Sequence, residues 1–190
     1  KDGNILDVEA LKIIWDLEDK MTSTPGYENF CYKQDLDGLP ADMVTQLEKM
    51  INPVTKCNYF QSIIVYLKLI VAQATSNPNP SSKDLKQEHV NALLNSPNGP
   101  TIIAGFISKD FKMGDVPSAT ILRTMFTMGY PLAGFNNIND RKGDQIDKVK
   151  EFGKEFTEPI DDLFDNPKLG IKGYNFLEGT TDDKISNVIL

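Results

Sequence analysis

SATILRTMFTM, residues 118–128, is the stretch on which the reading of the fold turns. Its β-branched residues, Met and Phe over about one strand's length predict an extended segment. Further on, Ile146, Val149, Phe152, Phe156, Ile160 and Leu163 recur three or four apart within 141–164, which predicts an amphipathic helix. Pro159 should kink or split that helix near Glu158. LGIKGYNF (169–176) returns to a short strand pattern. Strand, helix, strand is one βαβ unit, and a crossover of this length lets the strands run parallel with a right-handed connection.

Working outward, the N-terminal half reads as helices that pack on or cap this unit. Asp7 is the expected N-cap of a helix whose face is Ala10, Ile13, Ile14, Leu17 and Met21, widened by Leu11 and Trp15. TSTPG (22–26) stops it. Pro40 opens a second helix with Met43, Val44, Leu47, Met50 and Ile51 on one face. YFQSIIVYLKLIVAQA (59–74) is the most apolar segment; at 16 residues with Lys68 inside, it is shorter than the roughly 20 apolar residues of a membrane span. It reads as a buried core helix. SNPNPSS (76–82) is a linker, and Ser82 caps a helix running through Leu94. TIIAGFIS (101–108) is a continuous apolar run, expected to be a buried strand.

With 190 residues, the chain suits one domain, or one domain with a subdomain. It carries 20 basic and 27 acidic residues, a net charge of −7, which argues against binding phosphate backbones or an anionic membrane surface. The two cysteines, Cys31 and Cys57, stand in polar, turn-like flanks where a free thiol would be exposed. They are read as one disulfide, with two buried thiols as the alternative. A bridge implies an oxidising compartment. The chain starts Lys-Asp-Gly and ends on an apolar helical pattern opened by Thr180–Asp183 (Ile185, Val188, Ile189), so it reads as an excised piece.

Catalytic and metal patterns are incomplete. Asp35-Leu36-Asp37-Gly38 lacks the third ligand and the later Glu of a calcium loop. His89 is the only histidine, which leaves no Ser/His or Cys/His pair and no metal cluster. Asp161, Asp162 and Asp165 read as a solvated helix end rather than an acid–base site. GYPLAGF (129–135) is apolar for a loop. It either tucks over the core or presents Tyr130, Leu132 and Phe135 to lipid or a neighbouring domain.

A series of short motifs adds a resemblance. NILDVEAL (4–11) and ENFCYK (28–33) resemble the start of the first extracellular domain of Patched-related proteins. TIIAGFI (101–107) resembles that family's apolar segment before a second strand, and ATILRTMF (119–126) its Ala-Leu-x-x-Met-Phe strand. Residues 148–157 are similar to the following helix. Residues 171–189 are similar to the strand and acidic-start helix that lead into the sterol-sensing membrane helices. The order is kept along nearly the whole chain.

The family is the eukaryotic resistance-nodulation-division superfamily, with Patched, Dispatched and Niemann-Pick type C relatives. The resemblance implies an α+β fold: a ferredoxin-like βαβ porter-type unit at 101–190 with an added helical subdomain at 1–100, together one extracellular domain. It implies a non-catalytic domain without cofactor or metal, on the extracellular or lumenal face of a membrane. The parent would handle sterol or another lipid, and the partners would be its second extracellular domain and transmembrane bundle. A free secreted lipid-carrier or protein-interaction module is the alternative. The chain departs from Patched in being shorter, in having fewer cysteines and no glycosylation sequon, and in lacking the strand expected before Asn4. No family ligand residue maps onto it.

Overall fold

The segment 118–128 is extended, but among the described residues it belongs to no sheet. The computed structural model describes residues 4–33, 36, 41, 44, 51–52, 55–59, 61–115 and 117–164. Among these the fold is helical. It comprises α1 (Val8–Thr22), the single turn α2 (Tyr27–Phe30), α3 (Ile63–Thr75), α4 (Gln87–Leu94), α5 (Gly99–Phe106) and α6 (Lys142–Phe164). A one-turn 3-10 helix, Ser82–Asp84, precedes α4.

The expected ferredoxin-like βαβ unit is therefore corrected. Among the described residues only isolated antiparallel bridges join extended residues: Ile51 to Asn58, and, along the segment itself, Lys112 to Ser118, Ile107 to Leu122, Gln61 to Met125 and Cys31 to Met128. A ladder needs consecutive pairs on one neighbour, whereas here each short step along 118–128 meets a different partner. TIIAGFI is the second correction. Pro100 sits in the first turn of α5, where its fixed φ favours a helix and its missing N–H costs nothing. A short apolar run does not distinguish a strand from a buried helix. The other half of the proposed unit, 169–176, lies outside the described residues, as do the terminal helix at 180–189, the 35–38 acidic loop save Leu36, and most of the helix expected from Pro40.

Elsewhere local chemistry sets the boundaries. Asp7 lies in extended backbone and its Oδ1 accepts from the Glu9 N–H at 3.0 Å, so α1 starts where predicted. Gly26 enters α2 at φ 81°, a left-handed conformation that glycine adopts without a Cβ clash. α3 starts at Ile63 rather than near Asn58, because Ser62 Oγ accepts from the Ile64 N–H at 3.1 Å. The helix expected from Ser82 to Leu94 is broken in two, since Leu85 and Lys86 are extended between the 3-10 turn and α4. α6 continues through Pro159 to Phe164 instead of splitting there.

Two apolar clusters fill the interior. The first joins Leu6, Leu11, Ile14 and Trp15 to Ile63, Leu67 and Val71 of α3, Val90 and Leu94 of α4, and Ile102, Ala119 and Leu122. The second joins Met21, Tyr27 and the two cysteines to Phe152, Phe156 and Ile160 of α6. Phe30 stacks on Phe152 with ring centroids 4.2 Å apart, and Phe126 meets Phe156 edge-on at 4.7 Å. The line drawn between residues 100 and 101 falls inside α5, whose Ile102 shares the first cluster with Leu11.

Candidate functional site

Residues 119–129 act as a strap. Exposure alternates along them: Leu122, Thr124, Phe126 and Met128 face inward, while Arg123, Met125 and Thr127 are exposed. The backbone is bonded in series to separate parts of the chain. Ile5 N–H donates to Ala119 O at 2.8 Å, and Arg123 N–H to Phe106 O at 2.8 Å. Met125 and Gln61 exchange both bonds, at 2.8 and 2.9 Å. Tyr32 N–H donates to Thr127 O at 3.0 Å, and Gly129 N–H to Phe30 O at 2.7 Å. Asn4 adds side-chain bonds at the start, its Nδ2 donating to Pro117 O and its Oδ1 accepting from Ala119 N–H.

At the far end of the strap lies the disulfide. Cys31 and Cys57 are bridged, with Cα atoms 5.5 Å apart, and both are buried in the second cluster. The bridge ties the residue after α2 to a turn closed by Asn52 N–H donating to Cys57 O at 2.8 Å. Beside it an open groove of about 340 Å³ runs between Glu28, Asn29 and Lys33 on one wall and Tyr130, Pro131 and Ala133 on the other.

The apolar loop after the strap is built, not loose. The Tyr130–Pro131 peptide is cis. Gln145, fully buried on α6, accepts from Leu132 N–H at 3.0 Å and donates from Nε2 to Asn137 O and Asp140 O at 3.0 and 2.7 Å. Of the three loop residues singled out from sequence, Leu132 is buried under this staple. Tyr130 is exposed at the lip of the groove. Phe135 is half-buried beneath the Arg141 guanidinium, 4.4 Å from its ring centroid.

The polar node of the molecule went unread in the sequence. Glu18, on α1, is 4 % exposed. Its Oε2 accepts from Ser62 Oγ–H at 2.9 Å, and its Oε1 from Thr124 Oγ1–H at 2.9 Å. Three segments distant in sequence thus meet at one carboxyl group. Burial pushes its pKa up to about 7, against the pull of the two hydroxyls and the Lys68 ammonium. Lys68 itself bonds Asp19 Oδ1 and lies 5.4 Å from the Trp15 ring centroid. A signal was present: Leu11, Ile14, Trp15 and Glu18 follow the i, i+3, i+4, i+7 pattern, which sets an acid in the apolar stripe.

No protein-family model matches the chain, nor does any curated protein or solved structure. Among the described residues no helix is long and apolar enough to cross a membrane.

Proposed function

We propose that this chain is a non-catalytic domain on the extracellular or lumenal side of a Patched-like membrane transporter that handles sterol or another lipid. The observation that carries this reading is how the motif segments meet. NILDVEAL meets ATILRTMF through the Ile5–Ala119 bond and TIIAGFI meets it through Arg123–Phe106, while ENFCYK bonds the residue directly after it through Tyr32–Thr127. The helix at 148–157 joins the same set through the Phe30–Phe152 and Phe126–Phe156 contacts. The residues that carry the resemblance are thus the joints of the fold, while the βαβ frame that the resemblance implies lends it no support.

Two further points favour it. The buried disulfide suits an oxidising compartment. The carboxyl group on which Ser62 and Thr124 converge is buried, with Glu18 4 % and Ser62 0 % exposed, which does not suit a group that must meet a substrate. Sequencing the parent transcript on both sides of the chain tests the reading. Apolar stretches of about 20 residues should flank it closely; their absence on both sides removes the transporter.

The groove beside the disulfide favours a second reading, a protein-interaction module. A lipid carrier encloses its cargo in apolar walls, whereas Glu28, Asn29 and Lys33 line this groove beside Tyr130 and Pro131. A lipid extract of the purified chain analysed by mass spectrometry separates the carrier from the module.

A further inference from the structure

We propose that Glu18 is a proton-operated latch that holds the 119–129 strap closed in mild acid and releases it toward neutral and alkaline pH. The inference is independent of the transporter reading. It begins with topology. Between residues 122 and 128 the strap reaches the interior through four inward side chains, and only Thr124 among Leu122, Thr124, Phe126 and Met128 is polar. That one polar contact ends on a carboxyl group shielded from solvent. Four residues beyond Thr124, roughly 13 Å along an extended chain, Met128 bridges Cys31 and Gly129 lines the groove. Loosening at Thr124 therefore reaches the groove through continuous backbone.

The two protonation states bind the node differently. Ionised Glu18 accepts both hydroxyl hydrogens, but as a charge removed from water. Protonated on Oε1, it can donate to Thr124 Oγ1, whose own hydrogen then turns outward from a half-buried side chain, while Oε2 still accepts from Ser62 Oγ–H. The neutral form is satisfied without the desolvation cost. The ionised form gains by opening the strap and admitting water.

The surrounding charges do not neutralise it. From α3, Lys68 favours the ionised form, but its ammonium is shared with Asp19, which opposes it from α1. The strap and the residue before α3 present only the uncharged Thr124 and Ser62. α6 meets α1 through Phe152, Phe156 and Ile160. The 3-10 helix against α1 carries Lys83, which is exposed, and Asp84, whose carboxylate is taken up by Ser81.

Amide hydrogen exchange followed by NMR, corrected for the intrinsic pH dependence of exchange, tests the latch. The reporters are Tyr32, Met125 and Gly129, whose N–H groups bond across the strap, with the amides of α3 as the core reference. A carboxyl group that titrates near 4.5 when released and about 7 when held makes strap opening roughly 70-fold more frequent at pH 8 than at pH 5. Strap amides should exchange faster than those of α3 and depend little on added urea, as local opening requires. In Glu18→Gln the pH dependence should vanish while His89 is left in place. Should that variant not fold, the carboxyl-carbon titration of Glu18 in the wild-type chain, read beside strap exchange, decides the matter. Strap protection that is flat with pH overturns the latch, as does a pH dependence that survives in Glu18→Gln. So do strap amides that share both the rates and the urea dependence of α3.

Discussion

Thr124 Oγ1 lies 2.9 Å from Glu18 Oε1, a hydrogen bond between residues 106 apart in the chain. It pins an extended segment to α1 at the one inward position of 122–128 that is not apolar. Ser62, the N-cap of α3, bonds the other oxygen of the same carboxyl group. One ionisable group therefore fixes the relative placement of α1, α3 and the strap.

Glu18 makes global stability depend on pH, with a sign opposite to most acids. Its folded pKa is raised from 4.5 to about 7, so the neutral form is the favoured one in the fold. Its full contribution is present below about pH 4.5 and is lost as pH rises through 7. A shift of this size corresponds to about 3 kcal/mol. Urea unfolding should give wild type a larger advantage over Glu18→Gln at pH 5 than at pH 8, with the order reversed or levelled at the higher pH.

Replacing both Cys31 and Cys57 by Ser opens a loop with a sequence separation of 26. The chain-entropy model assigns such a closure about 3–4 kcal/mol. Thermal unfolding of the double variant should drop by roughly 10 °C for a domain of this size. A shift within a degree or two would mean that the second cluster holds this end without the bridge.

Gly129 and Gly105 should respond to alanine with opposite signs. A Cβ at Gly129 would stand 2.5 Å from Cys31 O and 3.1 Å from Cys31 C, backbone atoms that the disulfide and strap hold in place. Overpacking of this kind costs about 1–3 kcal/mol. At Gly105, inside α5, a Cβ meets nothing within 4 Å, so Gly105→Ala should stabilise by up to about 1 kcal/mol. Chemical denaturation of the two variants side by side checks the contrast.

Gln145 holds the 130–140 loop by bonds that no apolar residue can make. Gln145→Met keeps the volume and leaves buried backbone groups without partners, at about 1–3 kcal/mol. Limited proteolysis should then cut the loop near Ile138, which is exposed, faster than in wild type. An unchanged cleavage rate would show that the Arg141–Phe135 contact and the Asn136–Asp140 bonds suffice.

What could be read in advance was local. The Asp7 cap, the apolar stripe of α1, the run that becomes α3 and the 3.6-residue period of α6 are each contained in a dozen or so residues. The extended form of 118–128 was equally visible, because alternating burial needs only its own pattern. Its partners were not. Lys112, Ile107, Gln61 and Cys31 come from four separate segments, and nothing in SATILRTMFTM selects them over a neighbouring strand. TIIAGFI was misread because a mostly apolar run of seven residues satisfies either backbone, and Pro100 at the helix start was the clue that separates them. Glu18 stood in plain view on the buried stripe, but its partners Ser62 and Thr124 are ordinary hydroxyls far along the chain.

The functional reading stands or falls on which side of a membrane this domain sits. A tag placed in the turn at 77–80, where Pro78 and Asn79 are exposed, can be followed in the full parent protein in sealed microsomes. Protease should leave the tag intact until detergent is added, and the tagged protein should stay with the membranes after alkaline extraction. Digestion in intact vesicles, or recovery of the protein in the soluble fraction, would contradict a lumen-side domain of a membrane transporter.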